Sequence, residues 1–281
     1  MSRFMMSLAA RLPLPVLHAA GSVLGWIMYL ASPRYRKHLR ENLEIAGYRD
    51  APTRRAAIAE TGKAIAELPA LWLRPQAEVA ALVREVLGWE QVEAARAAGL
   101  GIVFLTSHQG SFEVCAQYIT KHVPMTILYR PAKLAWLEPF MRAGRERPNV
   151  RLATPDLSGV RKLLDALKRH ETIGLLPDQV PGKGQGEWAE FFGRPAYTMS
   201  LASKLAARDG AVCLLVFAER LPGGAGYALA FRPFTAPLPG ESKTRRLNRA
   251  LEDLIRECPG QYLWGYNRYK TPARLAARAA Q

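Results

Sequence analysis

Residues 101–114 have the sequence GIVFLTSHQGSFEV, in which an apolar run gives way to a polar turn and then to a helical pattern. The apolar run, residues 101–106, is typical of a buried strand. The run stops at Ser107 and His108, and Ser111 is a suitable N-cap for the helix that follows. His108 is therefore expected at the carboxyl end of a strand, where open α/β sheets place their ligands.

Glu113 follows His108 by five positions in the sequence. On one continuous helix the two side chains would point about 140° apart, so they can meet only if His108 lies in the turn and Glu113 on the first helical turn. A carboxylate beside an imidazole raises its basicity and fixes its orientation, as a general base requires. An ordinary polar pair is the alternative. We take His108 and Glu113 as candidate catalytic residues.

Strand and helix patterns alternate after residue 100. Strands are predicted at 101–106, 124–129, 149–153, 172–177, 211–219 and 226–233. Helices are predicted at 112–121, 134–146, 157–170, 197–208 and 243–257. The alternation predicts an α/β fold with a mixed, mainly parallel sheet flanked by helices. A turn at Leu221-Pro222-Gly223-Gly224 predicts an antiparallel hairpin of the last two strands.

The first hundred residues have only helical patterns. Helices are predicted at 53–73, with Thr53 as its cap, and at 78–87 and 89–98. At the other end of the chain, the Ala/Arg-rich residues 273–281 are expected to fray.

Residues 12–31 contain no acidic residue, lysine or arginine. At about 1.5 Å per residue, this segment is long enough to cross the roughly 30 Å hydrocarbon layer of a membrane. A cleaved signal peptide is the alternative. The basic residues that follow favour an uncleaved anchor with the rest of the chain on the cytoplasmic side; they are Arg34, Arg36, Lys37 and Arg40.

We therefore divide the chain into an N-terminal membrane-anchor helix, residues 1–32, and a second domain, residues 33–281. The second domain is expected to be helical over 33–100 and α/β over 101–281. Spanning the membrane and lying in its interface both remain open for the anchor. The basic amphipathic helix predicted at 33–46 suits anionic lipid head groups.

The chain is strongly basic. Its 281 residues include 39 Lys and Arg against 24 Asp and Glu, a formal net charge of +15. Such an excess implies an acidic partner, which can be a nucleic acid, an anionic lipid or an acidic carrier protein. Three cysteines give no disulfide framework, and no Cys or His cluster has the spacing of a metal site, so no metal is expected.

Two further strand ends carry polar residues. Arg130 ends one strand, and Asp178 and Gln179 follow another. Asp178 lies on the same edge as His108 if the sheet is parallel, although a turn-forming Asp is the alternative. The Gly-rich loop 181–186 lacks the Ser or Thr of a nucleotide-binding loop, and we interpret it as a flap beside the site.

Four blocks of sequence, in this order, resemble one family. They are TSHQGSFE at 106–113, LLPDQVPGKG at 175–184, FFGRPAYT at 191–198 and QYLWGYNRYK at 261–270. Together they resemble the lipid A biosynthesis acyltransferases, the late lauroyl and myristoyl transferases within the His-x-x-x-x-Asp/Glu acyltransferase superfamily. The resemblance covers residues from about 36 to 270.

The resemblance implies an additional set of site residues. It implies an active-site cation at Arg145, site roles for Asp178 and Gln179, a lining role for Gly193, and a phosphate contact for Arg194. Arg268 matches a family arginine, but Tyr266-Asn267 stands where many relatives have a His before it, which puts any role of Asn267 in doubt. The predicted substrate-binding residues are Arg130, Arg145, Asp178, Gln179, Gly193, Arg194 and Arg268.

The function implied is transfer of a fatty acyl chain from an acyl carrier protein thioester to a hydroxyl of a lipid A precursor at the cytoplasmic face of the inner membrane, with coenzyme A as the alternative donor. His108, assisted by Glu113, would deprotonate that hydroxyl without a covalent acyl-enzyme and without a cofactor. The partners expected are the acidic carrier, the anionic glycolipid and the membrane, not nucleic acid. The alternatives are an acyltransferase for a lysophospholipid, ornithine lipid or phosphoglycolipid, and a non-catalytic basic binding protein.

Overall fold

The computed structural model describes residues 3–132 and 134–272. The helices are α1 Arg3–Arg11, α2 Leu14–Ala31, α3 Pro33–Ile45, α4 Ala51–Ala66, α5 Leu68–Leu73, α6 Gln76–Ala80, α7 Glu90–Ala97, α8 Phe112–His122, α9 Glu138–Arg145, α10 Leu157–Lys168, α11 Ser200–Ala206 and α12 Lys243–Glu257. The strands are β1 Val83–Leu87, β2 Gly101–Leu105, β3 Met125–Leu128, β4 Val150–Ala153, β5 Thr172–Leu175, β6 Gly186–Phe191, β7 Arg194–Met199, β8 Ala211–Arg220 and β9 Tyr227–Pro233. Residues 273–281, expected to fray, lie outside the described residues.

Seven strands form the central sheet, in the order β1-β9-β8-β2-β5-β3-β4. The five strands from β8 to β4 in this order are parallel neighbours. Strand β9 is antiparallel to β8, and β1 is parallel to β9. The predicted α/β fold with a mixed, mainly parallel sheet is confirmed, as are its six predicted strands and the β8–β9 hairpin.

Strand β2 lies in the middle of the sheet with all five of its residues buried. Its side chains alternate between two cores, because successive residues of a strand point to opposite faces. Val103 and Leu105 join the core that includes α10 and α12, and Ile102 and Phe104 join the core that includes α8. A strand covered on both faces needs an unbroken apolar sequence, which explains the run GIVFL.

The apolar helix α2 packs along α4. Its close approach depends on Gly21, Gly25 and Gly62, since a Cβ on any of them would overlap backbone atoms of the other helix. Among the described residues, α2 is the one helix long and apolar enough to cross a membrane, and about a quarter of it is buried (28%). Its other face exposes large apolar side chains.

The expectation that the first hundred residues are all helical is wrong at residues 83–87. The predicted helix 78–87 is instead the short helix α6 followed by the edge strand β1, which pairs with β9. The predicted helix 53–73 is two helices that meet at Glu67, and Asp50 rather than Thr53 caps the first of them.

The second sheet, an antiparallel pair of β6 and β7, was not predicted. Its strands follow the loop predicted at 181–186, and they shorten the predicted helix 197–208 to α11. Phe191 and Arg194 are paired, so the loop between the strands is only Phe192 and Gly193.

Candidate active site

His108 and Asp178 meet because the sheet places their strands side by side. In the parallel pair of β2 and β5, Leu105 is paired with Leu175. His108 and Asp178 each follow that registered pair by three positions, so the two residues leave the same edge of the sheet together. The sequence predicted this shared edge, and the structure confirms it.

The Asp178 carboxylate holds both the ring and the backbone of His108. Nδ1 of His108 donates to Oδ1 of Asp178 at 2.7 Å, and the His108 backbone N–H donates to Oδ2 at 2.9 Å. Burial alone would raise the pKa of Asp178, but the His108 ring and these hydrogen bonds hold that pKa below its usual value. Asp178 is therefore a carboxylate that fixes the ring with its proton on Nδ1.

The second ring nitrogen of His108 is thereby left as a base. The side-chain amide nitrogen of Gln179 lies 3.2 Å from Nε2 and can donate a hydrogen bond to it. Such a bond requires a lone pair on Nε2, which agrees with the proton position set by Asp178. Phe112 supports the ring in an edge-on contact, with the ring centroids 5.0 Å apart.

The expected contact between His108 and Glu113 differs from the structure. In the described part of the chain they share no hydrogen bond, and Glu113 instead accepts from Arg145. The Arg145 Nε lies 3.1 and 3.2 Å from the two carboxylate oxygens, and its Nη2 also donates to Oε1. Burial lowers the pKa of Arg145, but the Glu113 charge outweighs it and raises that pKa above the ordinary value. Glu113 was predicted as the partner of His108 because it is close in the sequence. The carboxylate that contacts His108 is Asp178, from the neighbouring strand of the sheet.

A cavity of about 340 Å³ collects most of the predicted site residues. His108, Glu113, Arg130, Arg145 and Gln179 all line it. The rest of the lining is largely apolar and includes Phe112, Ala116, Ile127, Leu128, Met141, Leu176, Val180 and Met199. Ligand sites typically combine such an apolar wall with a few convergent polar groups.

Two other cavities adjoin this one. A cavity of about 470 Å³ shares Leu128, Arg130, Pro181 and Met199 with it and continues along Leu157, Val160 and Leu201. A smaller cavity of about 230 Å³ lies on the Asp178 side of His108, lined by Tyr35, Thr61 and Tyr262 among others. His108 therefore borders the first cavity and the smallest one. The apolar cavity of about 470 Å³ adjoins the first.

Three of the predicted substrate-binding residues line neither of the two cavities that His108 borders. Gly193 lies in the β6–β7 turn, and the exposed Arg194 guanidinium sits over the Tyr269 ring. Arg268 is buried and donates to the Tyr197 carbonyl at 2.9 Å and to Thr198 Oγ1 at 2.7 Å. Burial lowers its pKa. These contacts give Arg268 a place in the support of β7.

Sequence reasoning missed several residues around the site. Tyr266 Oη accepts from the Val180 N–H at 3.0 Å and so ties down the start of the loop after Asp178. Phe112 and Tyr262 also border His108. The only signal for Phe112 was its place beside Ser111. The two tyrosines lie in the C-terminal block 261–270, and no local pattern shows that this block reaches His108.

Comparison with known proteins identifies the family of the chain. The family model described as bacterial lipid A biosynthesis acyltransferase matches residues 2–271. The chain belongs to this family. It is therefore a transferase, and the non-catalytic binding protein that its charge would allow is excluded.

Individual relatives within the family agree over nearly the whole chain. The chain is 28% identical to the lipid A biosynthesis palmitoleoyltransferase of Escherichia coli K12, over 93% of this chain and 87% of that protein. It is 26% identical to the lipid A biosynthesis lauroyltransferase of the same strain, over 94% of this chain and 88% of that protein. A lipid A biosynthesis acyltransferase of Haemophilus influenzae is 26% identical over 92% of the chain. The resemblance found in the four sequence blocks is thus confirmed at the level of the family.

Proposed function

We propose that the protein transfers a fatty acyl chain from an acyl carrier protein thioester to a hydroxyl of a lipid A precursor at the inner membrane. The observation that carries the proposal is the His108–Asp178 pair at the wall of a cavity that also holds two arginines. The relatives named above, a lauroyltransferase and a palmitoleoyltransferase of lipid A biosynthesis, agree with it.

His108 is the general base in this proposal. Its Nε2 takes the proton of the acceptor hydroxyl while the oxygen attacks the thioester carbonyl, and the imidazolium then returns the proton to the departing thiolate. Asp178 stabilises the imidazolium and keeps the proton-accepting nitrogen on the cavity side. General-base catalysis of this kind contributes about 10²–10⁴-fold.

Transfer is direct in this proposal, without an acyl-enzyme. Burial raises the pKa of the thiols of Cys115, Cys213 and Cys258 above the ordinary value, so none of the three is a thiolate nucleophile. A direct reaction needs donor and acceptor at the base together, and the two cavities that meet at His108 offer a place for each. The apolar continuation along Leu157 and Leu201 suits the acyl chain.

Arg130 and Arg145 supply positive charge beside the base. Arg145 is held by Glu113, which belongs to the catalytic set through this ion pair. Its fixed guanidinium suits the acceptor phosphate or the oxyanion that forms on the acyl carbonyl. Arg130 is exposed and lines both the first cavity and its apolar continuation, where an anionic substrate would enter.

We place helices α1 and α2 in the membrane interface rather than across the bilayer. One face of α2 is packed on α4, so the helix cannot cross a membrane apart from the body of the protein. The outer faces expose Phe4, Leu8, Val16, Val23, Trp26, Ile27 and Leu30. Exposed Arg34, Lys37 and Arg40 follow directly and suit anionic head groups on the cytoplasmic side.

The test is to incubate the purified protein with acyl carrier protein thioesters of several chain lengths and a lipid A precursor, and to read the product by mass spectrometry. We expect a mass gain of one acyl chain for the wild type and none for His108→Ala. His122→Ala, an exposed histidine at the far end of α8, is the matched control and should retain activity. Wild-type transfer to a lysophospholipid but not to the precursor would overturn the acceptor assignment, and a fully active His108→Ala would overturn the base.

A further inference from the structure

A second cluster of charged residues lies behind the catalytic turn, with Glu67 at its centre. The Glu67 Oε1 accepts from Ser111 Oγ at 2.7 Å and from Arg220 Nη2 at 2.8 Å. Its Oε2 accepts from Arg220 Nε and Tyr227 Oη at 2.9 Å and from His18 Nε2 at 3.0 Å. Although burial raises the pKa of Glu67, the Arg220 charge and these hydrogen bonds bring it down to about 2, so the group is a carboxylate.

This cluster holds the turn that carries His108. Besides binding Glu67, Arg220 Nη2 donates to the carbonyl of Gly110 at 2.7 Å. The turn packs against β8 so closely that a Cβ on Gly110, whose φ is +53°, would overlap the carbonyl oxygen of Ala218. Glu67 and Arg220 thus bind the turn through Ser111 and Gly110, and neither lines a cavity that His108 borders.

Ser111 departs from the ordinary behaviour of its position. It occupies the N-cap of α8, where a serine hydroxyl normally accepts from the helix backbone, but its side chain makes no cap hydrogen bond. The hydroxyl donates to Glu67 instead. A position that gives up its local interaction for a long-range one is typical of a functional constraint.

His18 brings the membrane-facing helix into the same cluster. It lies on the buried face of α2, and because a carboxylate can only accept, its Nε2 carries the proton given to Glu67. The opposite face of α2 exposes Val23, Ile27 and Leu30. One carboxylate therefore binds the helix proposed to lie in the interface and the turn that carries the proposed base.

We propose that Glu67 is a positioning residue for acyl transfer, which joins helix α2 through His18 to the catalytic turn through Ser111 and Arg220. This inference rests on the proposed function of His108. A buried ion pair is a weak source of stability compared with apolar packing of the same volume, so its role here is to fix a geometry. Helix α2 is then part of the support of the active site and not only an attachment to lipid.

The test uses the full chain in detergent micelles, where attachment to a bilayer plays no part. Because Glu67→Ala would remove the carboxylate closest to the buried Arg220 and can fail to fold, the variants are Ser111→Ala and His18→Leu, which each remove one hydrogen bond. We expect kcat to fall about tenfold or more while the KM for the acyl donor stays within about twofold, since misplaced catalytic groups lose rate rather than binding. Ser111→Thr keeps the hydroxyl and should therefore retain the wild-type kcat.

Glu241→Gln is the matched control. Glu241 is also a mostly buried carboxylate paired with an arginine, Arg249, but it lies on the loop before α12. Its variant should lower the midpoint of thermal unfolding without lowering kcat. If folded Ser111→Ala and His18→Leu keep the wild-type kcat, the proposal is wrong.

A second readout separates this proposal from the assignment of the base. The rate at which diethyl pyrocarbonate modifies His108, mapped by mass spectrometry, reports the setting of the turn whether or not the protein acylates the substrate offered. The rate should change in Ser111→Ala and His18→Leu and not in Glu241→Gln. An unchanged rate overturns the positioning role, whereas a changed rate in a protein without acyl transfer overturns only the proposed function.

Discussion

The orientation of one imidazole depends on one buried carboxylate. Asp178 fixes the proton of His108 on Nδ1 and turns Nε2 toward the cavity, where Gln179 also lies. Glu113 serves a different group, since it neutralises Arg145. The two carboxylates of the site are thus divided between the proposed base and the cation.

Replacing Asp178 with Asn tests this division. An amide can donate to Nδ1 and so place the ring proton on Nε2, which then cannot accept a proton from the acceptor. We expect kcat to fall about 10³–10⁴-fold, as when the carboxylate of a catalytic triad is replaced by an amide, with little change in donor binding. Single-turnover mass spectrometry measures the rate. Asp165→Asn, an exposed carboxylate paired with Lys168, should have no effect, and equal rates for the two variants would contradict the role of Asp178.

The sequence predicted the residues of this site better than their partners. A buried strand followed by a polar turn is a local pattern, and it places the turn residues at the ligand-binding edge of the sheet. His108, Arg130 and Asp178 were identified in this way. Partner choice depends on strand order, and β5 enters the sheet between β2 and β3. The carboxylate closest in sequence to His108 was therefore preferred to the one beside it in the sheet.

Elements were predicted where their pattern is local and missed where it is not. The strand β1, VREVL, has two adjacent charged residues in its middle and lies at the edge of the sheet beside β9, about 140 residues later in the chain. The β6–β7 hairpin lacks the usual Asn-Gly or Asp-Gly signal. Its turn is Phe192-Gly193, in which Phe192 takes a left-handed φ of 49° before Gly193 at 72°. A phenylalanine is rarely found at a left-handed φ, so the turn could not be predicted from its local residues.

The contact of α2 with α4 gives a prediction at the level of elements. Glycine disfavours a helix by about 1 kcal/mol, so helix propensity alone predicts that Gly62→Leu stabilises the protein. The side chain would meet the backbone of α2 at Gly21 and Gly25, and we expect instead a loss of roughly 1–3 kcal/mol in the free energy of unfolding. Urea denaturation measures it. Ala59→Leu, half-exposed on the same helix, is the control, and a stabilised Gly62→Leu would show that the two helices are not held together.

At the scale of the whole molecule, the net positive charge and the exposed apolar side chains both bear on the proposed attachment to a membrane. The formal charge of +15 and the exposed apolar faces of α1 and α2 together suit the proposed attachment to an anionic bilayer from one side. The sequence predicted the apolar segment and the basic residues after it. It did not reveal that α2 is packed on the body, because that depends on glycines in two separate helices.

Attachment can be measured by flotation with vesicles that contain phosphatidylglycerol. We expect Ile27→Asp to weaken binding, because a charge on the exposed apolar side of α2 opposes the proposed burial in the interface. Leu238→Asp changes an equally exposed apolar residue in the loop before α12 and should bind as the wild type does. Equal binding by both variants would contradict the orientation given to α2.

The late position of the partners of Glu67 has a consequence for biogenesis. The N-terminal helices leave the ribosome first, but the carboxylate between them gains its counter-ion only when Arg220 has been made, and its tyrosine only at Tyr227. Until then Glu67 lacks the groups that stabilise its charge in the finished protein, so burying it by closing α2 onto α4 is costly. The N-terminal helices are therefore expected to reach their final packing only after the last quarter of the chain has been synthesised.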